Sequence, residues 1–141
     1  MYEERASFEA GEQAELTKTF AVADIETFAR ISGDVNPIHL DEAYARETRF
    51  GGRIAHGMLV AGLISAVLGT KLPGPGAVYL GQELRFKAPV RPGDAVTARA
   101  VVTEWNGDKG VVKLNTTAVN QDGVEVIAGT ATLIMSRYLK R

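Results

Sequence analysis

The sequence predicts a single α+β domain, in which a long antiparallel sheet wraps one buried central helix and a helix-and-loop segment overhangs the sheet. Three observations predict it. The stretch MLVAGLISAVLG, at 58–69, is apolar almost all the way round, as a helix enclosed by the rest of its protein is. Four long segments in the second half read as strands joined by short turns. The 141 residues are the length of one domain, enough to bury one core. No repeat, low-complexity tract or Pro/Ser-rich linker divides residues 1–141.

The elements follow in order. AELTKTFAV, at 14–22, suits a short strand. ADIETFARISG, at 23–33, sets Ile25, Phe28, Ala29 and Ser32 at helical spacing and ends on Gly33. In ISGDVNPIHLDEAY, at 31–44, Pro37 lacks an N–H and drives Asn36 toward extended backbone, so a fixed loop is expected there. Asp41 is placed to N-cap a short helix through EAYARET. GGRIAHG is a loop leading into the apolar helix. AVYLGQELRFKAPV, DAVTARAVVTEW, KGVVKLNTTAVN and VEVIAGTATLIMSRYL then read as strands, with RPGD, NGD and QDG as turns between them. Short turns between long strands predict an antiparallel meander of all four. Leu84 and Phe86 alternate with Glu83, Arg85 and Lys87, which gives that strand one wet face. A sheet curled around one helix is the hot-dog fold. Its open edges need cover, and pairing two of them in a symmetric homodimer is one economical answer.

Composition sets the exclusions. Hydrophobic residues make up 45% and charged residues 23%, as in ordinary soluble domains. A net charge of -1 gives no electrostatic case for nucleic acid or an anionic membrane as partner. The apolar helix, about a dozen residues long, is too short to span a bilayer. With no cysteine there is no disulfide, thiolate zinc site or cysteine nucleophile. The acidic N-terminus MYEERASFEAGEQAEL has neither the apolar core of a signal peptide nor the arginines of a transit peptide, which points to the cytoplasm.

The chemistry concentrates in two stretches. Asp34 and His39 are five residues apart; on one unbroken helix they would lie about 140° apart, and Pro37 prevents that helix. A fixed loop can instead turn both toward one point, where they form a general acid/base pair. Asn36 can pin the loop or orient a neighbour. Taken singly, Asp34 also suits a turn after Gly33, and His39 suits a half-buried site bonded to backbone. Metal binding by Asp34, His39 and Asp41 follows no recognised ligand spacing, and the only other histidine is His56. The second stretch is AHGM. Gly57 sits where the apolar helix begins, and there the free first-turn amides and the positive end of the helix dipole can hold an oxygen that gains charge. His56 suits capping or orienting the loop. Ser65, two turns on, can face the site or bond its own helix backbone.

FARISGDVNPIHLDEAYA is similar to the hydratase 2 motif of MaoC-like proteins, and GGRIAHGMLVAGLISAVLG and YLGQELRFKAPVRPGDAVTARAVV continue in that family's order. In length and in these blocks the chain resembles the short, single-domain (R)-specific enoyl-CoA hydratases. The resemblance implies a hot-dog homodimer that acts on an acyl thioester, reversibly hydrating a trans-2-enoyl-CoA to the (R)-3-hydroxyacyl-CoA. It places the catalytic Asp and His on Asp34 and His39, the Asn on Asn36 and the oxyanion-hole amide on Gly57. No metal is expected, because the thioester already polarises the alkene, and no cofactor, because coenzyme A is part of the substrate. Met58, Leu59, Leu63, Tyr79 and Leu80 are candidate lining for the acyl chain. Arg49, Arg53, Arg85, Lys87 and Arg91 are candidate contacts for the coenzyme A phosphates. The alternatives are a 3-hydroxyacyl-carrier-protein dehydratase, a thioesterase and a non-catalytic thioester-binding module on the same fold. Fatty acid metabolism, including polyhydroxyalkanoate precursor supply, is the expected setting.

Overall fold

The computed structural model describes residues 2–140. The chain runs β1 (Gln13–Thr19), α1 (Val22–Ser32), α2 (Pro37–Leu40), α3 (Glu42–Arg46), α4 (Gly57–Thr70), β2 (Ala77–Phe86), β3 (Ala95–Asn106), β4 (Val111–Val119) and β5 (Glu125–Met135). A 3-10 turn, Ser136–Tyr138, follows β5, so the last strand stops short of the Leu139 expected from its apolar run. The five strands form one antiparallel sheet in the order β1-β3-β4-β5-β2, and α4 lies against it in the hot-dog arrangement.

The meander is real only for β3, β4 and β5, whose two hairpins turn through positive-φ Gly110 and Gly123. β2 does not neighbour β3. It pairs with β5 and forms an edge. RPGD is therefore the end of a crossover rather than a hairpin turn. Gly93 at φ 94 lets that crossover bend, and its N–H donates to the Phe20 carbonyl at 2.7 Å. As a result, residues 87–90 pass across one end of the sheet, where the site is built.

α4 fills the concave side. Val60, Ile64, Val67 and Leu68 are no more than 1% exposed and join Val96, Ala98, Leu114, Ile127 and Leu133 in one core. Burying each large aliphatic side chain contributes roughly 1.5–3 kcal/mol. The helix is not wrapped on every side as its composition suggests. Met58 is 59% exposed, and Gly62, Ser65 and Gly69 are exposed on the same face. An apolar helix in a single chain leaves one face uncovered when the sheet curls around only part of it.

The overhanging segment holds α1, α2 and α3. α1 begins with the Asp24 carboxylate accepting from the Ala21 N–H at 2.8 Å. It ends on left-handed Gly33, φ 81, whose N–H donates to the Ala29 carbonyl. Pro37 does not forbid helix here. α1 has already ended at Gly33, and where a fixed loop was expected Pro37 occupies the first helical position of α2, where its missing N–H has no helical partner to lose. Asn36 is the N-cap: its side chain accepts from the Ile38 N–H at 3.2 Å. Asp41 caps α3 as expected, accepting from the Tyr44 N–H at 3.0 Å.

Candidate active site

Four hydrogen bonds clamp the loop before α4 onto the segment carrying Asp34 and His39. The Ile54 N–H donates to the Ile38 carbonyl at 3.3 Å. Arg53 Nε donates to the His39 carbonyl at 2.7 Å. His39 Nδ1 meets the Ile54 carbonyl at 2.8 Å, and His56 Nε2 meets the Asp34 carbonyl at 2.9 Å. The Ala55 N–H in turn donates to the Val90 carbonyl at 2.7 Å, which ties the loop to the crossover after β2. GGRIAHG is thus a brace joining three parts of the chain.

These bonds fix the tautomers. A carbonyl only accepts, so His39 carries its proton on Nδ1 and, when neutral, offers the Nε2 lone pair. By the same reasoning His56 is protonated on Nε2, which leaves its Nδ1 buried without a partner. The two rings stack, with centroids 3.8 Å apart and planes at 28°, and Phe28 packs edge-on against His56 at 4.8 Å. Burial lowers the His39 pKa below the usual 6.5, and a charge on His56 would lower it further. The Ile54 carbonyl and the Asp34 carboxylate oppose this but do not overcome it. His39 is therefore held neutral near pH 7, with Nε2 as an acceptor.

Asp34 is exposed but positioned. Its N–H donates to Ser32 Oγ at 3.1 Å, and its Oδ1 accepts from the Asn36 N–H at 3.3 Å. A carboxylate oxygen of Asp34 and ring nitrogens of His39 and His56 all lie within 4.8 Å of one another. That spacing brings the three side chains to one place. It also raises the question of a metal ion. The two rings stack with planes at 28° rather than converge, and the second nitrogen of each is bonded to a carbonyl, which is also the usual arrangement of a metal-bound histidine. Asp41, the other candidate ligand, is engaged as the cap of α3.

Asp34, His39, His56, Gly57 and Met58 line one cavity of about 380 Å³. Gly57 is the first residue of α4, with His56 as N-cap, so its amide is one of the free first-turn donors at the positive end of the helix. The rest of the wall comes from Arg49, Phe50, Ile54, Ala55 and Val60, from residues 86–90, and from Val126 and Ile127 of β5.

The other expected residues fall elsewhere. Ser65 lies on the open face of α4, beside the Tyr79 hydroxyl, outside this cavity. Tyr79 and Leu80 sit exposed on the β2 edge, where the Tyr79 hydroxyl donates to Gln82 Oε1 at 2.9 Å. Leu63 is 8% exposed and belongs to the core rather than the cavity wall, and Leu59 packs against that core. Arg53 is not a surface contact: its side chain is 13% exposed and braces His39. Of the other cations, Arg49 and Lys87 reach the cavity and Arg85 and Arg91 do not line it. Phe86 was legible only as a strand residue. Its place at the end of β2, where the chain leaves the sheet, was the one signal that could have marked it.

The fold and site define a hot-dog protein with a carboxylate and an imidazole in one cavity with a helix N-terminus. Residues 5–125 match the model of the MaoC like domain, and the chain belongs to that family. It is 54% identical over 125 residues to an (R)-specific enoyl-CoA hydratase of Rhodospirillum rubrum, covering 89% of this chain and 86% of the relative. Among solved structures it resembles an (R)-hydratase from A. caviae involved in PHA biosynthesis, with a TM-score of 0.88 and 45% identity over 91% of this chain and 97% of that one. It also resembles an unliganded R-hydratase from Pseudomonas aeruginosa, with a TM-score of 0.86 and 48% identity over 91% and 82%.

Proposed function

We propose that this chain is an (R)-specific enoyl-CoA hydratase, a hydro-lyase that reversibly adds water to a trans-2-enoyl-CoA to give the (R)-3-hydroxyacyl-CoA. One observation carries the reading: Asp34 and neutral His39 share a cavity with the Gly57 amide at the start of α4.

The thioester oxygen accepts from the Gly57 N–H. Water sits between the Asp34 carboxylate and His39 Nε2, both acceptors in this protonation state. Its oxygen bonds to the β-carbon while one of its protons passes to the pair. The π electrons move toward the thioester, whose oxygen gains enolate charge, stabilised by the amide and the helix dipole. The pair then returns a proton to the α-carbon, so H and OH are added across the double bond. The thioester itself polarises the alkene, so the reaction requires neither metal nor cofactor.

The reading extends to a homodimer in the cytoplasm. β2 is an edge strand that leaves Val78 39% and Leu80 56% exposed, and pairing it with its copy would continue the sheet. The open face of α4 supports this, because a Cβ added at Gly62 or Gly69 meets nothing within 4 Å and leaves room for close approach. The description of the A. caviae relative supports polyhydroxyalkanoate precursor supply as one use of the product. Among the described residues no helix is long and apolar enough to cross a membrane.

The test is a purified-protein assay with trans-2-enoyl-CoAs and chiral analysis of the product. Loss of the enoyl chromophore with no free thiol, giving the (R)-alcohol, is expected. Thiol release would make the protein a thioesterase, and turnover only of carrier-linked substrate would make it the carrier-protein dehydratase.

A further inference from the structure

α4 holds three glycines with different surroundings. At Gly62 and Gly69 an added Cβ meets nothing within 4 Å. At Gly57 it would meet Phe86 Cε1 at 2.6 Å, Cδ1 at 2.7 Å and Cζ at 3.2 Å. The aromatic ring therefore rests on the α-carbon of Gly57, which lines the cavity and opens α4. Phe86 is also 54% exposed, unusual for a phenylalanine, and lines the cavity with Asp34 and His39.

The position of Phe86 is well determined. It is the last residue of β2 and stands opposite Ile127 of β5, which lines the same cavity. The next residue holds the strand end twice, through the Lys87 N–H to the Val126 carbonyl at 2.8 Å and through Lys87 Nζ to Glu125 Oε2 at 2.6 Å.

We propose that Phe86 is a specificity-determining residue whose ring, seated on Gly57, walls the space over the thioester and excludes substituents on the α-carbon of the acyl chain. The inference rests on the hydratase reading. A thioester oxygen bonded to the Gly57 N–H brings the carbonyl carbon and the adjacent α-carbon next to that ring. A hydrogen on the α-carbon fits there, and a methyl group collides with an aromatic surface that leans on backbone. The same contact gives Gly57 a second reason to be glycine: an alanine keeps the amide but drives the ring out of place.

The experiment compares trans-2-butenoyl-CoA with trans-2-methyl-2-butenoyl-CoA. For Phe86→Ala, and for Phe86→Leu as the more conservative variant, the kcat/KM ratio of methylated to unmethylated substrate is expected to rise at least tenfold over wild type, with the thermal midpoint retained. Gly57→Ala is expected to lose at least tenfold on the unmethylated substrate, and Gly57→Ala/Phe86→Ala to recover part of that loss. An unchanged substrate ratio in both Phe86 variants, or no recovery in the double variant, overturns the proposal. Failure of the wild type to hydrate the unmethylated substrate would instead bring down the hydratase reading.

Discussion

The body and the overhang of this molecule are held together by different forces. In the body, α4 and the sheet meet through apolar burial: Val67, Leu68, Val96, Val112 and Met135 are all at 0% exposure. In the overhang, Asp34 is exposed and His39 stands at the edge of burial. Their positions depend on directional bonds to the 53–56 loop. Hydrophobic burial is non-directional and tolerates small errors in placement. Hydrogen bonds do not, and a site that must hold one water between two groups needs that intolerance. Stability and chemistry should therefore respond to different substitutions.

The largest expected separation is at His39. His39→Gln should cut hydration by about 10²–10⁴-fold, the range for losing a general acid/base, while the thermal midpoint stays close to wild type. Equal losses in both would erase the distinction. Leu114→Ala is the converse case. Leu114 is 1% exposed in the core, so the change should destabilise the fold by about 2–5 kcal/mol in a denaturant titration, with turnover per folded molecule little altered.

A subtler effect is expected from pH. Because burial lowers the His39 pKa, the unfolded chain takes up a proton there at a higher pH than the folded one. That contribution to stability is intact above 6.5, the ordinary value, and is lost as pH falls below it. Activity, which needs the His39 Nε2 lone pair, should hold through pH 6.5 and decline only below it, as a kcat/KM profile would reveal. The smallest effect is at Asn36→Ala, which removes the cap of α2. It should cost about 0.5–2 kcal/mol and disturb activity more than stability, since α2 carries His39.

The sequence was most informative where periodicity and local chemistry decide the structure. The apolar run of α4, the helix ending at Gly33 and the cap at Asp41 all stand where their residues indicated. Strand alternation located β2 without revealing its neighbour, because a period of two describes faces and not pairing, and RPGD offered a plausible hairpin that the crossover replaced. Pro37 was read as holding a fixed loop, but it opens a helix, because the Asn36 cap lets it take the first helical position. Within the site, the stacking of His39 on His56 and the bracing by Arg53 join residues far enough apart that only the folded chain brings them together. Phe86 looked like an ordinary inward strand residue until the chain was seen to leave the sheet beside Gly57.

The central claim is that Asp34 and His39 act as one unit on one water. The most direct test is a double-mutant cycle of Asp34→Asn and His39→Gln on kcat for trans-2-butenoyl-CoA hydration. If the two hold a single water, either substitution alone removes most of the effect and the double variant is slower than the worse single variant by no more than about tenfold, as for residues that act together. Losses that multiply in the double variant, or near-wild-type turnover in either single variant, would contradict the account.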